Sequence, residues 1–192
     1  MCIRDRLEIK GIKFGFVGFS EFLPDHSTSK SGHAGIAYAS EDSVRHSVSA
    51  ARQQADVVIA SFHWGVEYSS RPRQREIKLA QSAVEAGADL VLGHHPHVLQ
   101  GLQTIITNKE NATRRSLVAY SLGNFVFDSP RVWDKRLNQT IALRCTFNRS
   151  GLVAYEAVPM AIEVYRPRPA NEVEAREILM RLDKLSAELN AK

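Results

Sequence analysis

Long apolar runs are absent from this sequence. No stretch approaches the ~18 consecutive apolar residues of a membrane-spanning helix, and the first residues lack the basic, apolar and small-residue order of a secretory signal. Cysteine is nearly absent. Cys2 and Cys145 are far apart, which argues against a disulfide framework and against a thiolate metal site. Charge of one sign is not in large excess either: 25 Lys and Arg stand against 21 Asp and Glu, for a net charge of +4. No polybasic tract interleaves with aromatics, so nucleic acid is not an expected partner. There is no internal repeat and no low-complexity segment. What remains is an ordinary globular composition, 192 residues of which 44% are hydrophobic. That is enough for one domain with a sizeable core.

Histidine is concentrated in one place, at Gly93-His94-His95-Pro96-His97. The run Asp89-Leu90-Val91-Leu92 before it reads as a buried strand. Gly93 is read as freeing the backbone, and Pro96 as fixing the turn between two imidazoles. A second buried-strand run, Asp56 to Phe62, ends on His63-Trp64-Gly65. Between the two lies a helical stretch, Arg73 to Ala86, with Ile77, Ala80 and Val84 on one face and Gly87 as its stop. Strand, helix, strand in that order is a right-handed βαβ unit with parallel strands. Both strands then finish at the same edge of the sheet, where open α/β sheets carry their sites. His63, His95 and His97 are expected to meet there.

Elsewhere Ile9 to Phe19 reads as a core strand whose hairpin partner is lost or upstream. Ser20 to Ala39 reads as a loop, with His26 and His33 solvent-exposed in it. Glu41 to Gln54 reads as a helix capped by Ser40, with Val44, Val48 and Ala51 inward and His46 outward. A hairpin is expected from Val98 to Tyr120. Leu137 to Phe147 and Leu152 to Glu163, joined by Asn148-Arg149-Ser150-Gly151, read as an antiparallel pair on a second sheet. Pro167 and Pro169 are expected to break the chain. A last helix starts at Asn171, with Glu174 completing a capping box and Ile178, Leu179, Leu182, Leu185 and Leu189 as its stripe.

Neutral imidazoles with a carboxylate or amide oxygen suit zinc, manganese or iron. A site of that kind makes water acidic enough to act as a nucleophile near neutral pH. Glu67, four residues after His63, is a candidate ligand, an orienting group or a general acid. Trp64 is a candidate pocket wall. Arg71, Arg73, Arg75 and the segment from Arg131 to Arg136 could attract a polyanion or form a solvated face.

Three blocks in order carry a family resemblance: His63-Trp64-Gly65-Val66-Glu67-Tyr68, then Gly93-His94-His95-Pro96-His97-Val98-Leu99-Gln100, then Tyr120-Ser121-Leu122-Gly123-Asn124-Phe125-Val126-Phe127-Asp128. As a set they resemble the C-terminal half of the capsule-synthesis CapA family, also called the poly-gamma-glutamate biosynthesis or PgsA family. That family is similar to the calcineurin-like metallophosphoesterases. The resemblance implies an α/β fold, a metallophosphatase-like two-sheet sandwich flanked by helices, here the C-terminal portion of a four-layer domain. It implies His63, His95 and His97 as metal ligands, Glu67 and Asn124 lining the pocket in a catalytic role, and divalent metal ions (Mn, Fe or Zn), two in the intact site. It also implies a membrane-anchored parent on the extracytoplasmic face of a bacterial cell. An anionic polymer or phosphoester would be its substrate, and a membrane polymer-synthesis complex its setting.

The pattern departs from such phosphoesterases in one respect: the sequence holds no Gly-Asp and no Asn-His dipeptide. Ile9 is therefore expected to begin mid-domain, leaving one side of the site. Met1-Cys2-Ile3-Arg4-Asp5-Arg6 resembles a translated sequencing-adapter scar. The resulting division is 1–8 as a non-native scar, 9–165 as the metallophosphatase-like domain, and 166–192 as an amphipathic helix packed on it. Three functions are carried forward. They belong to the intact parent, the chain alone being expected to be incomplete and inactive: a metal-dependent phosphoesterase-like hydrolase, a non-catalytic accessory subunit of a polymer-synthesis or export complex, and a mono-zinc gamma-glutamyl amidohydrolase.

Overall fold

The computed structural model of the chain describes residues 4–23, 35–109, 112–127 and 134–191. His26, His33, Asp128, Arg131 and Trp133 lie outside the described residues. The elements follow in chain order as β1 (Arg4–Ile9), β2 (Ile12–Ser20), α1 (Glu41–Arg52), β3 (Val57–His63), α2 (Gln74–Ala86), β4 (Leu90–His94), β5 (Leu102–Lys109) and β6 (Ala112–Ala119). After a 3₁₀ turn at Lys135–Asn138 come β7 (Gln139–Asn148), β8 (Gly151–Glu163), β9 (Arg166–Pro169) and α3 (Glu172–Asn190).

The first six strands form one sheet in the order β1-β2-β3-β4-β6-β5, and the last three form a second sheet, β7-β8-β9. β2, β3, β4 and β6 are parallel, while β1 and β5 run antiparallel at the two edges. The expected βαβ unit is thus β3-α2-β4, and its strands do end together: His63 pairs in register with His94. The partner of β2 is not lost. It is β1, inside the first nine residues, turning through Lys10 and Gly11 at positive φ.

Strand alternation sorts the core into two layers. Val58, Ala60 and Phe62 of β3 join Val44, Val48, Leu79, Ala83 and Val91 in the layer under α1 and α2. Leu90, Leu117 and Ala119 face the other way, against Ile141, Leu152, Ile178 and Leu182 of the second sheet and α3, with Ile59 packed at their edge. His63 follows Ile59 and Ser61 on that second face.

The helices stop and start as their caps require. Ser40 Oγ accepts the Ser43 N–H, and Gly87 ends α2 in the left-handed region at φ +112°. Asn171 and Glu174 close a capping box on α3. α3 reaches the first sheet at Gly101, where an added Cβ would lie 2.6 Å from Leu189 Cδ1. Pro167 and Pro169 do not break the chain. They sit in β9, which pairs with β8 alone, and an edge strand tolerates residues that cannot donate.

One buried charge ties the layers together. Asp89 is fully buried and accepts the Val58 N–H at 2.8 Å. It pairs with Arg52 at the end of α1 and with Arg114 on β6. Gly151 of the second sheet packs directly on it, since a Cβ there would stand 2.6 Å from Oδ1.

Candidate metal centre

The parallel strands β3 and β4 deliver their histidines to one edge of the sheet. His95 and His97 follow β4 with φ of +101° and +64°. Left-handed backbone at non-glycine residues is costly and persists only where the surrounding structure holds it. Here it folds the chain back, so that both rings turn toward the loop after β3. That loop bends at Gly65 (φ +96°) and Tyr68 (φ +63°). Two backbone bonds join the loops: Trp64 N–H donates to His94 O at 3.1 Å, and Tyr68 N–H to Pro96 O at 2.8 Å.

Among the described residues, ligand atoms of Glu67, His95 and His97 all lie within 4.8 Å of one another. His63 stands beside this group rather than in it, with its ring centroid 4.8 Å from that of His95. His94 lies next to His63 across the β3–β4 register. Phe22 covers the other side of His95 at 4.3 Å, and Tyr68 and Phe127 flank His97 at 5.9 and 5.1 Å.

Asn124 is buried, and both ends of its amide are used. Nδ2 donates to Leu137 O at 3.1 Å, which turns Oδ1 toward His97 Nδ1 at 2.8 Å. An amide oxygen can only accept, so His97 carries its proton on Nδ1 and leaves the Nε2 lone pair for a ligand. This is the usual arrangement behind a metal-binding imidazole. Burial holds His63, His94 and His95 below the ordinary histidine pKa, and a neighbouring imidazole lowers each further (His97 for His63, His63 for the other two). Neutral rings are the form that binds metal. Two imidazole nitrogens and a carboxylate oxygen fit zinc, manganese or iron.

Trp64 is not a pocket wall. It is fully buried, stacks on Phe62 at 4.4 Å, and donates from Nε1 to Tyr120 O at 2.9 Å. Gly93 is needed for that contact rather than for backbone freedom. A Cβ at Gly93 would fall 1.9 Å from Tyr120 O and 2.5 Å from Trp64 Nε1. The arginines near the site are paired inside the chain: Arg71 with Glu188, Arg73 with Glu21 and Glu76, Arg75 with Glu21. Arg136 pairs with Asp134 and Lys135 with Glu177.

Sequence reasoning passed over Glu21 and Phe22, which lie in a stretch with loop composition. The one available signal was their place just past the carboxyl end of β2, beside β3 in the parallel sheet.

Comparison with known proteins adds the following. The profile of the family described as Bacterial capsule synthesis protein PGA_cap matches residues 5–129, a stretch that includes every residue of the site. The chain is 30% identical over 165 residues to the PGA biosynthesis protein CapA of Bacillus subtilis (strain 168), covering 86% of this chain and 40% of that protein. It is also 30% identical over 165 residues to the capsule biosynthesis protein CapA of Bacillus anthracis, covering 84% and 38%. The chain therefore spans about two fifths of the length of these curated relatives. Among solved structures it is similar to the NAD nucleotidase NadN of Haemophilus influenzae, with a TM-score of 0.45 and 15% identity over 94% of this chain and 36% of that one. It is similar to the 5'-nucleotidase precursor of Thermus thermophilus, with a TM-score of 0.47 and 16% identity over 94% and 33%.

Proposed function

Because the chain belongs to the bacterial capsule synthesis protein PGA_cap family, we propose that it forms part of a protein of capsule or poly-gamma-glutamate synthesis with a divalent-metal hydrolase site. The observation that carries this reading is the convergence of Glu67, His95 and His97, with His97 oriented by Asn124. A divalent ion held by these residues supplies Lewis acidity and makes water reactive near neutral pH. The chain's own groups do the rest. Glu67 contributes the single negative charge of the donor set, Asn124 fixes the His97 tautomer, and His63 stands alongside as a further donor or proton carrier. Phe22, Tyr68 and Phe127 wall the group with rings.

Two bond types suit this chemistry, a phosphoester and the amide of a gamma-glutamyl link. The donor count favours keeping the amide: three protein donors with an open position are the usual frame of a one-ion hydrolase. The whole protein would work on the extracytoplasmic face of a bacterial cell, membrane-anchored and within a polymer-synthesis complex.

The test is direct. The purified chain is titrated with Zn²⁺ and Mn²⁺ by calorimetry, then assayed on bis-p-nitrophenyl phosphate and on gamma-glutamyl-p-nitroanilide. Saturable binding lost in His95→Ala, together with turnover of either substrate, supports the hydrolase. Binding without turnover of either is also what one side of a larger site would give, so the same assays on a protein of the relatives' full length then decide between the hydrolase and a non-catalytic accessory subunit. An absence of saturable binding removes the metal centre.

A further inference from the structure

Three residues at the end of β2, Ser20, Glu21 and Phe22, are built into the metal centre from the side that neither histidine loop reaches. The Glu21 N–H donates to His63 O at 2.9 Å, and its carboxylate Oε2 accepts the Gly65 N–H at 3.0 Å. These two bonds straddle Trp64 and hold the turn from both ends. Gly65 sits at φ +96°, and Glu67 follows two residues later.

The Glu21 carboxylate is itself anchored. Arg73 Nη2 reaches both of its oxygens, at 2.7 and 2.8 Å, and Arg75 Nε lies 3.0 Å from Oε1. Arg73 is held in turn by Glu76, a carboxylate 1% exposed in the first turn of α2. The turn that carries Glu67 is thus referenced to a rigid helix end through one side chain. The Glu21 side chain is 13% exposed, so water competes weakly for these bonds.

Phe22 does the same for the histidines. Ser20 Oγ donates to Phe22 O at 2.6 Å and accepts the Phe22 N–H at 3.1 Å, which closes a tight turn. The turn lays the Phe22 ring 4.3 Å from His95 and 5.8 Å from His63. A ring in that place limits the rotation of His95.

We infer that Glu21 is a positioning residue for the metal centre: by clamping the His63–Gly65 turn to the start of α2 it sets where Glu67 stands relative to His95 and His97, while Phe22 seats His95. The inference rests on reading Glu67, His95 and His97 as metal donors. Residues that orient metal ligands are worth about 10–100-fold in metal affinity.

The experiment uses the full chain and Co²⁺ as the probe, with Glu21→Ala and Glu21→Gln compared. Glutamine keeps an oxygen for the Gly65 N–H and gives up the arginine pairs, whereas alanine gives up both. The expected result is Co²⁺ binding weakened about tenfold or more in Glu21→Ala, with an altered visible band and faster exchange of the Gly65 amide proton. Glu21→Gln should fall between the parent and Glu21→Ala, since it keeps the Gly65 bond but loses the charged tie to Arg73 and Arg75 that anchors the clamp to α2. Unchanged Co²⁺ affinity and band in Glu21→Ala overturn the inference, as does a loss of affinity with no change in Gly65 amide exchange, which would place the effect away from the turn. If the parent chain binds no Co²⁺, the metal reading fails by itself. The clamp is then judged by Gly65 exchange alone, and an unchanged rate in Glu21→Ala overturns it. Should Glu21→Ala not fold, Glu21→Asp, which keeps the charge and shortens the reach by one carbon, takes its place with the same outcomes.

Discussion

His97 Nδ1 lies 2.8 Å from Asn124 Oδ1, across 27 residues of sequence. The amide is pinned at its other end by Leu137 O at 3.1 Å. A buried side chain on the loop after β6 therefore decides which nitrogen of His97 is available.

Asn124→Ala removes that hydrogen bond and lets the ring turn or change tautomer. Zn²⁺ affinity measured by calorimetry is expected to fall about 10–100-fold. Asn124→Asp, which can still accept from Nδ1, should lose less. Equal affinity in the parent and the alanine variant would remove Asn124 from the centre.

Gly93→Ala tests the packing behind the site. A Cβ would collide with Tyr120 O at 1.9 Å and with Trp64 Nε1 at 2.5 Å, and both belong to the buried core. Backbone cannot retreat as a flexible side chain would, so the cost is expected at about 3 kcal/mol or more, the upper end for overpacking. Urea denaturation reads it. A change below about 1 kcal/mol, well under the overpacking range, would mean that β4 and β6 can part locally.

Asp89→Ala breaks the buried ion-pair junction. It leaves the Arg52 and Arg114 guanidiniums without their carboxylate and the Val58 N–H without its acceptor. Removing one member of a buried charge network costs about 3–5 kcal/mol. The loss should appear in both layers of the fold at once, as a single cooperative transition shifted to lower urea.

Acid should act on α3 through Glu174. Its carboxyl is held down to about 2 by the Arg168 guanidinium first and by the Asn171 N–H of the capping box second. A carboxyl with a depressed folded pKa stabilises above its unfolded value and loses that contribution as pH falls through the folded one. The stability difference between the parent and Glu174→Gln should be constant from neutral pH down to about 5, above the unfolded carboxyl pKa. It should then shrink, and vanish near 2. A difference independent of pH would show that the charge plays no part and that the capping geometry alone matters.

Much of the fold was legible because local patterns and tertiary demands agree. The apolar runs before His63 and His95 could only be buried strands, and the helical stretch between them, stopped at Gly87, required a parallel pair. Ser40, Gly87, Asn171 and Glu174 cap their helices by chemistry that acts within four residues. Where the reading missed, a distant contact was responsible. Pro167 and Pro169 looked like breakers because an edge strand cannot be recognised until the sheet order is known. Gly93 reads as a residue that frees the backbone because the two groups that exclude a side chain there come from the end of β6 and from the loop after β3.

The sequence by itself determined that histidines gather at the ends of parallel strands, since periodicity, a helix stop and a right-handed crossover leave no other place for them. Only the tertiary structure decided which candidate ligand groups share a point. Left-handed backbone at His95 and His97 and the turn at Gly65 and Tyr68 bring Glu67 into the group and leave His63 beside it. The resemblance names Asn124, but the bond by which its amide orients His97, like the contacts of Glu21, is not readable in one dimension. Each residue acts through a hydrogen bond spanning tens of residues, and such bonds leave no periodicity behind.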